Sequence, residues 1–420
     1  MLFTSYAFIP FFLIVVLVSR ALSNWTARKA FLLVASYLFY AAWNPPFVIL
    51  LWISTLIDWH VAKRIDRSQS MRARRSLLLV TLLVNLGLLG YFKYFGFLVR
   101  SMTELLAAVN VNVTFADPDI ILPVGISFYT FQTLSYTLDV YRRKARPGRS
   151  FLDYALYVTF FPQLVAGPIV RATEFLPQCV ASRKATSSQI GWGLSLFTIG
   201  LFAKVVIADA LMAPVVESVY DVATPAGFLP AWTGTVAFAM QIFCDFFGYS
   251  TCAIGVALTL GFALPDNFRF PYGAVGFSDF WRRWHISLST WLRDYLYIPL
   301  GGNRKGATRT YVNLAITMLL GGLWHGASWM FLIWGGASRV LLDRGTPAGA
   351  ITTFKTGGLE RTTGTARVGA SDVWAGVRRV GLFSSGQYES GHGVDFRHGL
   401  LQLGGVFKNH VNHLRRCPCR

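Results

Sequence analysis

The sequence predicts an all-α protein that crosses a membrane many times, and three observations carry that reading. Only 14% of its 420 residues are charged, against roughly 25% in soluble domains, while 54% are hydrophobic and 15% aromatic. Apolar runs long enough to cross a bilayer recur along the chain. Between those runs Lys and Arg collect in some loops and are missing from others. A net charge of +19 would suggest nucleic acid in a soluble chain. Here the cations sit at helix ends, where they set orientation and meet the anionic headgroups of the lipid bilayer, so nucleic acid is not an expected partner.

Each apolar run can be placed in turn. Leu2 to Val18 begins without a basic region and ends without a small-residue cleavage site, so it reads as a retained first helix. Phe31 to Trp43 and Phe47 to Trp59 are separated by Asn44-Pro45-Pro46, and proline both lacks an N–H and disfavours helix before it. Leu77 to Val99, Ile120 to Val140, Ile190 to Met212 and Ala231 to Leu264 are further candidate spans. Tyr154 to Val170 carries Pro162 and Gly167-Pro168 and lies between basic flanks, a pattern suited to a re-entrant hairpin buried in protein. The loops 20–29, 63–75, 142–149 and 282–309 are rich in Lys and Arg, whereas 101–119 and 213–229 contain none. The first set is therefore expected in the cytoplasm and the second outside.

Two later segments carry ionisable groups. In Ser278 to Ile298, Trp281, Trp284, His285, Leu288, Trp291, Leu292 and Tyr295 fall on one helical stripe, with Arg282, Arg283 and Arg293 off it. This predicts one amphipathic helix at the cytoplasmic interface, with Ser278 as N-cap and Pro299 with Gly301-Gly302 as its stop. The run Tyr311 to Trp334 contains no Asp, Glu, Lys or Arg, yet His325 lies near its middle. An ionisable group at such depth is a functional-site hypothesis by default. Gly321, Gly322 and Gly326 around it would admit either a thin acyl chain or a neighbouring backbone.

Residues 339–420 differ in character. They carry 12 Lys/Arg against 5 Asp/Glu, and no apolar run from Gly349 onward is long enough to span. By parity the helix Tyr311 to Trp334 delivers this basic tail to the outer side, against the charge rule. The expected division is thus 1–338 as a transmembrane domain and 339–420 as an atypical basic tail, disordered or read in a non-native frame. The five cysteines show no paired metal-ligand spacing, so neither a disulfide framework nor a metal site is expected.

The stretch FPYGAVGFSDFWRRWHISLSTWLRDYLYIPLGG at Phe270 to Gly302, followed by GGLWHGASW at Gly321 to Trp329, resembles the membrane-bound O-acyltransferase family, nearest its bacterial alginate O-acetyltransferase branch. MLFTSYAFIPFF at the N-terminus, SYLFYAAWNP from Ser36, LPVGISFYTFQTLSYTLDVYR from Leu122 and FFPQLVAGPIVR from Phe160 resemble the same branch. The likeness covers about the first 338 residues. It implies a multi-helix bundle with re-entrant segments around a transmembrane tunnel, in a bacterial inner membrane. It implies His325 as the catalytic histidine and His285 as the second site histidine. It also implies acetyl-CoA as acyl donor with no permanently bound cofactor, an exported polysaccharide as acceptor, and a periplasmic acyltransferase or polymer-modification protein as partner.

The residues support that chemistry. An imidazole is basic near neutral pH and could take a hydroxyl's proton, or could itself attack a thioester to form an acyl-histidine. Arg282, Arg283, Arg293, Arg304 and Lys305 would form a cationic, cytoplasmic mouth for the phosphates of CoA, lipid headgroups being the competing use. Gln163 and Arg171 beside the re-entrant break are weaker candidates for a tunnel lining. A transporter or export component without acyl-transfer chemistry is one rival class, since it too would place ionisable groups at the midplane. An intramembrane hydrolase or protease is the other, and it would need a nucleophile or metal set, whereas the sequence has no HExxH.

Overall fold

The computed structural model describes residues 1–344, apart from 112, 114, 117 and 222–226. The expected tail, 339–420, lies outside the described residues except for helical backbone as far as Arg344. The described residues form helices and connections with no strand. They group into two compact units, one made of Met1–Ile207 with Phe243–Asn267, the other of Ala208–Ile242 with the chain from Phe268.

In the first unit, α1 is Phe8–Ala21, α2 Trp25–Ala41, α3 Pro45–Arg67, α4 Met71–Ala108 and α5 Ile126–Tyr141. The Asn44-Pro45-Pro46 break falls where the sequence places it, between α2 and α3. The run beginning at Tyr154 divides into α6, Phe151–Thr159, and α7, Phe161–Leu164, with the break at Phe160. Residues from Tyr154 to Leu164 are all buried. The broken backbone finds a partner from elsewhere in the unit: the Phe161 N–H donates to Ser36 Oγ at 3.1 Å, which is how irregular backbone survives inside a membrane protein. Gln163, a candidate for the tunnel lining, lies in this buried break. It is buried, and its Nε2 donates to the Tyr157 carbonyl at 2.6 Å. The short α8, Ala172–Val180, follows.

Two long apolar helices run from one unit into the other: α9, Ser187–Tyr220, and α10, Phe228–Thr259. In the first unit they cross on glycines spaced seven apart, Gly193 and Gly200 on α9 against Gly255 and Gly248 on α10. A Cβ at any of the four would strike the partner's backbone, the small-residue approach expected where hydrocarbon gives helices no solvent-driven attraction. Lys204 and Asp245 pair beside this crossing at 3.0 Å. The helices α3, α4, α9 and α10 are each long and apolar enough to cross a bilayer, and the chain is a multi-pass membrane protein.

Among the described residues, the second unit contains the ends of α9 and α10 and four more α-helices: α11 Phe277–Arg283, α12 Ile286–Leu292, α13 Gly306–His325 and α14 Trp329–Arg344. Two expectations are corrected here. The amphipathic segment is two helices, capped by Gly276 rather than Ser278, with a break at Trp284-His285. It does stop as expected: a π-turn at Arg293–Tyr297 leads into turns at Ile298–Leu300.

The run Tyr311 to Trp334 is likewise not one spanning helix. It breaks after His325 and folds back as an antiparallel hairpin, in which Gly322 packs on the Phe331 backbone and Gly335 on the Met318 backbone. The same register sets the end of α14 level with the start of α13. The chain at Arg344 therefore returns to the end of the hairpin that carries Arg304 and Lys305. Two helices stand where the sequence reading counted one, so the parity argument for the outer side no longer applies.

Candidate active site

His285 occupies the break between α11 and α12, in left-handed backbone with φ 43° and ψ 56°. Such a conformation in a non-glycine residue costs on the order of 1–3 kcal/mol and persists only where surroundings enforce it. Several contacts enforce it. The Trp284 N–H bonds the Phe280 carbonyl at 2.8 Å, the Arg269 N–H bonds the Arg283 carbonyl at 3.0 Å, and the His285 carbonyl accepts from the Ser289 N–H at 2.9 Å. Phe268, Tyr272 and Phe280 pack their rings against Trp284, and the Tyr272 hydroxyl donates to the Ala239 carbonyl. The strain thus buys a change of direction that carries the imidazole inward, where 1% of the residue is exposed.

His325 ends α13 at the apex of the hairpin, half-buried. Its ring lies edge to face with that of His285, centroids 6.2 Å apart. Trp324 touches both, at 5.7 Å from His285 and 5.1 Å from His325. On the return helix, Trp334 stands 5.4 Å from His325, and Trp281 of α11 stands 5.7 Å from Trp334. On a continuous helix Trp334 would sit nine residues, or about 13 Å, beyond His325. The hairpin is what makes it a wall of the site. The glycines have the packing role: Gly322 faces backbone and Gly326 faces the Phe331 ring, so neither leaves a groove for a thin chain. Gly321 meets Leu292 of α12, joining the two histidine segments.

Burial, reinforced by the nearby His325, holds the His285 imidazole well below its ordinary pKa, so it is uncharged at neutral pH. A sealed neutral imidazole against a more accessible one suits a positioning residue beside a reacting residue.

The five expected phosphate-binding cations divide. Arg282, Arg304 and Lys305 are exposed. Arg283 pairs with Asp279 at 2.8 Å and Arg293 with Asp294 at 2.7 Å. Partial burial pushes the Asp279 carboxyl upward, but hydrogen bonds from Arg283 and the Val275 N–H outweigh it and hold the group below the usual carboxylate range. Arg283 therefore fixes the end of α11 through an ionised partner. The sequence reading missed Trp324 and Trp334 as neighbours of His325, though both lie within the apolar run around it, and a Gly-x-Ser step inside that run was the available sign of a turn.

A profile of the membrane-bound O-acyltransferase family matches residues 142–344, a span that holds both histidines and all four tryptophans. Over 337 residues the chain is 43% identical to a probable alginate O-acetylase of Azotobacter vinelandii, covering 80% of this chain and 66% of the relative. A probable alginate O-acetylase of Pseudomonas putida is also 43% identical over 337 residues, 80% of this chain and 68% of its own. The chain belongs to the membrane-bound O-acyltransferase family. Within that family it is also similar to a peptidoglycan O-acetyltransferase of Helicobacter pylori, 40% identical over 333 residues, 73% of this chain and 62% of the relative. A teichoic acid D-alanyltransferase of Bacillus subtilis is more distant, at 26% over 230 residues, 52% of this chain and 58% of its own. This acyltransferase-family chain spans about two thirds of the length of the O-acetylase relatives it matches.

Proposed function

We propose that this family member transfers an acetyl group from cytoplasmic acetyl-CoA toward the hydroxyls of an exported polysaccharide, across a bacterial inner membrane. The observation that carries the proposal is the cluster of His325, His285, Trp324 and Trp334 within the span the family profile matches. Relatives whose names specify alginate or peptidoglycan O-acetylation support acetyl as the group and a cell-envelope polymer as the acceptor. A periplasmic acyltransferase or polymer-modification protein would receive the group where the acceptor does not reach the site.

His325 is the reacting residue. As a base, its imidazole takes the proton of the acceptor hydroxyl while that oxygen attacks the thioester carbonyl; the C–S bond breaks and the thiolate of CoA recovers the proton. As a nucleophile, its nitrogen attacks instead, CoA leaves as the thiol, and the acyl-imidazole passes its acyl group to the hydroxyl. His285 orients Trp324 and the His325 ring in either route. Arg282, Arg304 and Lys305 are exposed on basic segments that the charge rule assigns to the cytoplasm, and they supply the field that draws in the phosphates of the donor.

Incubating membranes that contain the protein with radiolabelled acetyl-CoA tests the proposal. Label appearing in membrane protein or envelope polymer, and absent from membranes lacking the protein, is expected. A transporter without transfer chemistry would leave all label on CoA.

A further inference from the structure

The Asp58 carboxylate lies buried where α3, α4 and α5 meet, and the chemistry of the histidine cluster gives it no role. Asp58 is 0% exposed, near the middle of α3, a helix long and apolar enough to cross a bilayer. An intramembrane carboxylate requires an explanation, because burying an uncompensated charge costs several kcal/mol. No Lys, Arg or His pairs with it among the described residues.

What surrounds it is uncharged and polar. Asn85 Nδ2 donates to both carboxylate oxygens, at 3.2 and 3.0 Å. The Asn85 amide is itself held by its Nδ2 bond to the Thr81 carbonyl at 3.1 Å, and its Oδ1 accepts from Ser54 and from Thr133. The amide orientation is therefore fixed by its own partners. The hydroxyls of Thr81, Thr133 and Thr137 also face Asp58. Those of Thr81 and Thr137, both on residues fully removed from solvent, find no other hydrogen-bond partner among the described residues. The buried hydroxyl of Tyr154, a ring lying against Trp59 and Tyr136, is a third without one.

We propose that Asp58, with the hydroxyl oxygens of Thr81, Thr133 and Thr137, forms a binding site for one small monovalent cation, sodium in the first instance. One negative charge surrounded only by uncharged polar groups becomes neutral with one positive charge. A divalent ion would leave an excess, and calcium and magnesium sites characteristically supply more carboxylate or keep several waters. An all-oxygen set also favours hard cations over the transition metals that His and Cys select. A proton would neutralise Asp58 equally well, but it would take one carboxylate lone pair and leave the acceptor lone pairs of the Thr81 and Thr137 hydroxyls unused. A cation uses several at once, and it would tie three helices together across their common axis.

The test is thermal unfolding of the full chain in detergent at constant ionic strength, with sodium chloride replaced stepwise by N-methylglucamine chloride. A saturable rise in Tm of about 3 °C or more with sodium is expected, since a ligand of the native state stabilises by mass action. Thr137→Val keeps the carboxylate and removes one ligand, and should move the half-saturating sodium concentration up several-fold. Asp58→Asn should abolish the sodium dependence. A Tm equal in the two salts would overturn the proposal. So would a wild-type Tm that rises on acidification and ignores sodium, which would make Asp58 a buried neutral acid.

Discussion

Replacing His285 with glutamine should remove a defined part of the protein's loss of stability in acid. Folding lowers the pKa of His285, so the unfolded chain binds the proton that the folded chain refuses. Stability from this residue is therefore complete above the unfolded value of 6.5 and drains away as pH falls below it. With the folded imidazole still uncharged at pH 5.5, the difference between pH 7 and pH 5.5 is RT times the logarithm of the ratio of unfolded-state protonation factors. That ratio is about 8, giving ~1.3 kcal/mol lost to this one residue. The glutamine variant pays no such penalty, whatever its stability at neutral pH. The assay is denaturant unfolding of wild type and His285→Gln in the same detergent at the two pH values, read as a difference of differences so that other titrating groups cancel. A pH-dependent loss equal in both proteins would refute the burial argument. It would show that the left-handed break does not hold the imidazole away from protons.

The hairpin makes its own predictions. Gly335→Leu should force α13 and α14 apart and cost at least the 1–3 kcal/mol typical of overpacking, read as a fall in Tm together with lost transfer activity. Cysteines placed at Lys305 and Arg344 should react with a membrane-impermeant thiol reagent from the same side, and labelling from opposite sides would restore the single spanning helix. Trp334→Ala should lower kcat for acetyl transfer about tenfold while leaving KM for acetyl-CoA within twofold, because this wall touches His325 at 5.4 Å and not the basic mouth. Arg282→Gln, Arg304→Gln and Lys305→Gln should each raise KM for acetyl-CoA, less so at high salt where the field is screened. Arg283→Gln should lower Tm instead, since it strands Asp279.

Much of the fold was legible because hydrophobicity and charge act on whole segments. Each apolar run of the sequence contains helix, the proline pair opens α3 after the end of α2, and the re-entrant pattern around Pro162 corresponds to a buried break. What the sequence hid were local reversals inside unbroken apolar patterns. The stripe from Trp281 to Tyr295 keeps helical spacing straight through His285, because the left-handed residue redirects the backbone without disturbing the spacing of side-chain types. The turn after His325 contains no proline or charge, only Gly326, Ala327 and Ser328, residues that a spanning helix also tolerates. Both histidines nevertheless stood out in the sequence as candidates, since an ionisable group in an apolar run is conspicuous whatever the backbone does, and the structure brings their rings together. Asp58 did not stand out, because a lone carboxylate in the run from Phe47 to Trp59 gains meaning only when Thr81, Asn85, Thr133 and Thr137 arrive from other helices.

Acetyl transfer by a His325→Ala variant tests the central claim most directly, with membrane insertion and Tm of the variant measured alongside. The account predicts a protein that inserts and melts normally yet places less than a few per cent of wild-type label from acetyl-CoA into membrane protein or polymer. A variant that folds normally and retains substantial transfer would show that the chemistry runs through another residue.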